Sequence, residues 1–261
     1  MNDPTPKEIC AGVYCLSMGS SLSQINVYFV QSGSSWSLID TAWPHRGHVI
    51  KEAAESVFGV NTRPASILLT HIHPDHSGSA LELARLWNLS VHVHPKELPL
   101  AAADVPTEYM DPIGRFMTPL MRIMPKQAKE SSLKEVVRAF DPDAGVPGLP
   151  DWKCIHTPGH TPGHVAFFRE SDRVLIAGDA LLTVNINSLW DFLLNKQRVS
   201  GPPHISTWNW PAAKASVKIL AALEPRVLAC GHGAVMMREE TARELCAFSE
   251  RFSDGKRELA H

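Results

Sequence analysis

The stretch Ala65-Ser66-Ile67-Leu68-Leu69-Thr70-His71-Ile72-His73-Pro74-Asp75-His76 decides the reading of this chain. Its apolar first half predicts a short buried strand. The polar groups that follow would then lie at the strand's C-terminal end, where α/β folds commonly place their sites. Three imidazoles and one carboxylate fall within residues 71–76. A single such side chain is more often solvated or bonded to backbone. Four of them crowded together without a cation would set any protonated rings against one another. Neutral imidazole nitrogen and carboxylate oxygen suit Zn, Fe, Mn or Ni better than Mg or Ca.

One loop cannot close a two-metal site, so other strand ends should supply ligands. Trp152-Lys153-Cys154-Ile155 reads as a strand and leads to Thr157-Pro158-Gly159-His160-Thr161-Pro162-Gly163-His164, whose Pro-Gly pairs predict tight turns presenting His160. Val174-Leu175-Ile176-Ala177 runs into Gly178-Asp179, and Val227-Leu228-Ala229-Cys230 into Gly231-His232-Gly233. Glycine beside each ligand lets the backbone come close and turn away sharply.

The series THxHxDH, TPGHT, GD and GHG, spread in that order between about Val13 and His232, resembles the metallo-β-lactamase-fold hydrolase superfamily. The resemblance implies the α+β class, an αββα sandwich with metals at one sheet edge. It implies that His71, His73 and His160 bind a first metal, that Asp75, His76 and His232 bind a second, and that Asp179 bridges both. Asp40, in Ser37-Leu38-Ile39-Asp40-Thr41, would orient ligands and loops. Two divalent ions about 3.5–4 Å apart would hold a bridging hydroxide formed near neutral pH and polarise the bond it attacks. Zn is the first expectation for the ions, and Fe or Mn accept the same groups. Asp75 would serve both as ligand and in handling the nucleophile's proton. The expected reaction is hydrolysis of a small ester, thioester or lactone.

Departures from particular subfamilies narrow this by exclusion. Glyoxalase II carries a C-terminal helical domain for glutathione, whereas 28 residues follow Gly233 here. Acyl-homoserine lactonases carry a tyrosine after the bridging aspartate; the tyrosines of this chain are Tyr14, Tyr28 and Tyr109. True metallo-β-lactamases generally lack the bridging aspartate. The nearest resemblance, through Gly201-Pro202-Pro203 and Gly231-His232-Gly233, is to a bacterial group of uncharacterised hydrolases. Two rival classes are a mononuclear iron oxygenase resembling persulfide dioxygenase, built on His71, His73, His160 and Asp179, and a metal-binding sensor without turnover. The oxygenase would leave Asp75, His76 and His232 without a metal.

Composition sets bounds. At 261 residues and 44% hydrophobic the chain can bury one large core, and residues 1–261 read as one domain. A formal charge of −2, with no basic run longer than two residues, argues against nucleic acid. No apolar run of about 18 residues argues for a membrane span, and Met1 to Glu8 has no leader pattern. Five cysteines, an odd number without CxxC spacing, suit reduced thiols and a cytoplasmic protein acting on a small molecule.

Strands are expected at Val13–Leu16, Ile25–Val30, Trp36–Ile39, Ser90–Val93, Trp152–His156, Val165–Phe168, Arg173–Ala177 and Val227–Cys230. Helices are expected at His48–Phe58, Ser79–Trp87, Ala212–Leu223 and near Glu239–Phe252. The proline-rich span Pro95–Pro150 reads as a helical insertion, a lid or a homodimer contact, because Ile113–Met124 carries an adaptable methionine face. In the resembled family the segment after the bridging aspartate approaches the site, which nominates Trp190, Phe192 and Trp208 as a substrate wall. His92, His94, His156, His164 and His204 read as structural or surface groups, and His45 and His48 lack ligand spacing.

Overall fold

Strands buried at successive positions need a layer on each face, and the described residues form two large sheets of them beside a two-stranded one. The computed structural model describes residues 5–19, 24–102, 133–186 and 197–253. The first sheet contains β1 (Lys7–Cys10), β2 (Val13–Met18), β3 (Ile25–Ser32), β4 (Ser35–Ile39), β5 (Ser66–Leu68), β6 (Val91–Val93) and β7 (Val137–Ala139), side by side in chain order. Pairing is antiparallel from β1 to β4 and parallel from β4 to β7. Along β3, Ile25, Val27 and Phe29 enter one core while Tyr28 and Val30 enter another.

The parallel half needs crossovers, and helices provide them. Between β4 and β5 runs α1 (Gly47–Phe58); between β5 and β6 run the short α2 (Pro74–Ser77) and α3 (Ala80–Trp87). Ile50, Ala53, Leu83 and Trp87 press the longer two onto the outer face of the sheet. After β6 comes α4 (Leu98–Ala101).

The second sheet is built from β8 (Trp152–His156), β9 (Val165–Arg169), β10 (Val174–Ile176) and β13 (Val227–Ala229), in the order β13-β10-β9-β8. Between β10 and β13 come the hairpin of β11 (Leu182–Val184) and β12 (Gln197–Ser200), then α5 (Trp210–Ala222). Val165, Phe167, Val174 and Ile176 meet Tyr28, Val30, Ile39 and Leu68 between the sheets. Ala166, Phe168 and Leu175 face outward, where α5 and α6 (Thr241–Ser253) cover them with Val217, Leu220, Leu245 and Phe248. The layers are therefore α, β, β, α, the sandwich expected from the sequence. Burial of a side chain such as Phe167, with none of its surface exposed, contributes about 1.5–3 kcal/mol.

Three features differ from expectation. β1 has exposed and half-buried residues only, so no hydrophobic alternation announces it. The β11–β12 hairpin was not expected from the sequence either. The span read as a helical insertion is helical at Leu98–Ala101, but at its C-terminal end it joins the sandwich: β7 pairs with β6, and Phe140, Val146 and Leu149 enter the core between the sheets. Ile113–Met124 lies outside the described residues.

This topology brings the chemistry together. β4, β5 and β6 are parallel, so Asp40, His71 and the turn after His94 emerge at one edge. At that edge Val165 N–H donates to Thr70 O at 3.0 Å and Asn26 N–H to Gly231 O at 2.8 Å, tying the two sheets together.

Candidate metal centre

Thr70 is fixed first on leaving β5. Its backbone N–H and its hydroxyl donate to Oδ1 of Asp40 at 2.8 and 3.1 Å. Pro74 opens α2, suited by its fixed φ to a first helical turn, and the N–H groups of His76 and Ser77 both donate to His73 O at 2.9 Å. The Ser77 hydroxyl closes the loop onto Ile72 O at 2.9 Å. His71, His73, Asp75 and His76 are thereby presented from one rigid turn.

Across the sandwich, the loop between β8 and β9 brings His160 to this turn. Nε2 of His71 lies 3.1 Å from Nδ1 of His73, which lies 2.8 Å from Nε2 of His160; the two Nε2 atoms are 3.2 Å apart. A tetrahedron with metal–nitrogen bonds of about 2.0–2.1 Å has edges of about 3.3 Å, so these nitrogens sit close to ligand spacing. A second set converges beside the first. Nε2 of His232 lies 3.3 Å from Oδ2 of Asp75 and 3.4 Å from Oδ2 of Asp179, and Nε2 of His76 lies 3.4 Å from Oδ1 of Asp179. Oδ2 of Asp179 also stands 3.6 Å from Nε2 of His160, so this carboxylate faces both sets.

Nε2 of His76 and Oδ1 of Asp179 are buried without a hydrogen-bond partner. Buried polar atoms are nearly always partnered, and these two point where the second set meets. The residues fit two divalent ions: nitrogen donors for one, mixed nitrogen and oxygen for the other, and a carboxylate between them.

For His232, His76, His71 and His164 the hydrogen bond on the far side of the ring places a proton on Nδ1. His232 Nδ1 is 2.6 Å from Gln24 O, a carbonyl that only accepts, so Nδ1 carries a proton and Nε2 is the nitrogen turned to the site, able to ligate once its own proton is released. His76 Nδ1 is 2.8 Å from Oδ2 of Asp40 and is assigned in the same way. The Thr70 hydroxyl, donating to Asp40, accepts from His71 Nδ1 at 3.1 Å. His164 lies just behind: its Nε2 accepts from Asp179 N–H at 3.0 Å, so its Nδ1–H donates to the Thr157 hydroxyl at 2.7 Å.

Charge divides the two sets. Burial, joined by repulsion from neighbouring imidazoles, holds His71 and His160 well below the usual histidine range, as neutral rings. Burial acts the same way on His76 and His232, but the carboxylates outweigh it. Asp179, Asp40 and Asp75 hold His76 well above its usual range, and Asp179 with Asp75 raises His232 to about 10. Burial would raise Asp179; His232 and His76 outweigh it and keep that carboxylate ionised. An ion entering the second set therefore releases protons.

Other expected positions fall elsewhere. His45 and His48 are exposed and belong to no ligand cluster among the described residues. His94 and His156 stack on each other, 4.2 Å between centroids at 5°. His204 packs edge-on against Trp210. Trp208 is half-buried, and its backbone N–H donates to His160 O at 3.2 Å, so its segment braces the ligand loop. Trp190 and Phe192 lie outside the described residues. Sequence reasoning passed over Glu97, which is fully buried beside the ligand loops. Burial raises this carboxyl, while hydrogen bonds from Thr161, Gly163 and Ile72 oppose the rise. The signal available was its place just after β6, which runs parallel to β5 and so ends at the same edge as the His71–His76 loop.

A family model described as the metallo-beta-lactamase superfamily matches residues 21–232, which hold every residue of both sets. The chain belongs to this superfamily. This membership, with relatives described as probable metallo-hydrolases, makes it a metal-dependent hydrolase. Among its relatives, the probable metallo-hydrolase YflN of Bacillus subtilis (strain 168) is 36% identical over 240 residues, covering 90% of each chain. The metallo-beta-lactamase family protein TTHA1429 from Thermus thermophilus shares the fold with a TM-score of 0.64 at 22% identity, over 95% of this chain and 80% of that one. AidC, a dizinc quorum-quenching lactonase, shares it with a TM-score of 0.62 at 16% identity, over 87% and 90%.

Proposed function

We propose that this metallo-beta-lactamase superfamily member is a dinuclear hydrolase of a small ester, thioester or lactone. The observation that carries the reading is the position of Asp179, 3.4 Å from His232 and 3.6 Å from His160, between two complete sets of donors. Two divalent ions, with Zn the first choice, would supply a water-derived nucleophile near neutral pH and polarise the scissile carbonyl. His71, His73 and His160 would hold the first ion, and Asp75, His76 and His232 the second.

The remaining steps belong to the chain. The Asp75 side chain is 18% exposed against 3% for Asp179, so Asp75 stands on the open side, placed to orient the attacking group and take its proton. Burial raises the Asp75 carboxyl, but His76 and His232 outweigh it and keep it ionised as an acceptor. Asp40 and the backbone carbonyl of Gln24 hold the imidazoles in register.

The convergence of Asp75, His76 and His232 supports two ions over the single-iron oxygenase alternative. AidC, whose name describes a dizinc lactonase, supports lactones as the first substrates to try. Five unpaired cysteines support a reducing, cytoplasmic setting; among the described residues no helix is long and apolar enough to cross a membrane.

A panel of small esters, thioesters and lactones tests the proposal. At least one class should be hydrolysed, with activity lost on chelation and restored by Zn. Asp179→Ala should abolish turnover. Hydrolysis that survives complete chelation would contradict it.

A further inference from the structure

The first set of imidazoles is drawn from two loops on different sheets. His71 and His73 follow β5 of the first sheet; His160 follows β8 of the second. Ligands from separate layers need something that fixes one layer against the other to within tenths of an ångström. Glu97 touches both loops. Its Oε2 accepts from the backbone N–H of Ile72, the residue between His71 and His73, at 3.0 Å. Its Oε1 accepts from the Thr161 hydroxyl and from Gly163 N–H, both at 2.7 Å.

The surroundings are shaped for this contact. A Cβ on Gly163 would lie 2.8 Å from both the backbone nitrogen and Cγ of Glu97, so a side chain there would push the loops apart. His94, at the start of the turn that carries Glu97, accepts Lys96 N–H on its Nδ1 at 3.2 Å and receives Glu97 N–H on its carbonyl at 2.9 Å. Its ring stacks on His156, whose Nε2–H donates to Pro162 O at 3.0 Å. The turn after β6 is thus seated on the His160 loop by two independent contacts, and Glu97 reaches from it to the His71–His73 loop.

We propose that Glu97 is a positioning residue for the first metal, its carboxylate tying the His71–His73 loop to the His160 loop so that three imidazoles from two sheets are held at ligand spacing. The inference rests on the metal-centre reading above. It gives a specific expectation for an isosteric change. In Glu97→Gln the single amide oxygen can still accept from Thr161 and Gly163, but the NH2 group then faces Ile72 N–H, donor against donor. The substitution thereby unties Glu97 from the loop between His71 and His73 alone. The backbone bond from Val165 to Thr70 remains and keeps the sheets joined.

The test uses Co2+ as the probe, added to metal-free full-length protein, with affinity measured against a competing chelator and coordination followed by the visible absorption of Co2+. Thermal unfolding of the metal-free proteins is recorded in parallel. Glu97→Gln should unfold cooperatively, bind Co2+ about 10–100-fold more weakly and show an altered absorption band. Thr161→Val, which removes one donor at nearly constant shape, should weaken binding in the same direction, and the two changes together should be less than additive. A folded Glu97→Gln variant with wild-type Co2+ affinity and spectrum overturns the proposal, whatever its unfolding temperature. If that variant fails to fold, Thr161→Val decides: weakened affinity supports the proposal, and unchanged affinity overturns it. Wild-type protein that takes up no Co2+ overturns the metal-centre reading itself, and the role of Glu97 with it.

Discussion

Nδ1 of His76 lies 2.8 Å from Oδ2 of Asp40, on the opposite side of the ring from Nε2, the atom that faces Asp179. Asp40 also takes both donors of Thr70, so one buried carboxylate fixes a candidate ligand and the start of the loop that carries three others. Its φ of 62° is a left-handed conformation that aspartate and asparagine tolerate better than most residues. Asp40→Asn should therefore keep the backbone but turn an NH2 toward one of the three donors. Metal affinity is expected to fall about 10–100-fold, measured by chelator competition; an unchanged affinity would show that Asp40 does not orient the ring.

Gly231 packs directly on the second set of donors. A Cβ there would sit 2.6 Å from Cε1 of His76 and against Oδ1 of Asp179. Gly231→Ala should displace that carboxylate, with overpacking costing about 1–3 kcal/mol. Metal content per chain and hydrolysis should drop while the metal-free protein still unfolds cooperatively. Normal metal content in this variant would mean that Asp179 has room to retreat without consequence.

The core between the sheets is expected to dominate stability. Phe167 is completely buried there. Phe167→Ala should cost about 3–5 kcal/mol, read as a lower urea midpoint of metal-free protein. A loss under about 1 kcal/mol would mean that the site collapses around the smaller side chain.

His94 gives a pH dependence away from the candidate ligands. Burial, then His156 and Lys96, lower its pKa from 6.5 to about 4. Between those values the unfolded chain binds more protons than the folded one. The stability tied to His94 is thus complete above about pH 6.5 and lost as pH falls toward about 4. His94→Asn keeps an acceptor for Lys96 N–H and removes the titration. Urea midpoints of metal-free protein at about pH 7 and about pH 5 should differ less in the variant than in the wild type; equal differences would contradict the assignment.

Much of this arrangement was legible in the chain because ligand residues follow apolar strands and glycines flank them. His71, His73, Asp75, His76, His160, Asp179 and His232, named from spacing and resemblance, meet in one place. Asp40 was named through the resemblance alone, and it stands at the end of β4 with Thr70 and His76 as its partners. Glu97 was not, because its role depends on three donors that are distant in sequence: Ile72, Thr161 and Gly163. β1 and β7 were missed because edge strands can be specified by pairing with a neighbour and carry little apolar pattern of their own. The clustering of His94 with His156 was equally invisible, since strand alternation shows which face a ring takes and says nothing about what it meets there.

The most direct test of the central claim is the number of divalent ions held per chain, measured by elemental analysis after the protein is saturated with Zn and the excess is removed. About two ions per chain are expected from a site of two donor sets sharing one carboxylate, falling in Asp179→Ala. A wild-type protein that retains one ion or none after reconstitution would contradict the dinuclear account.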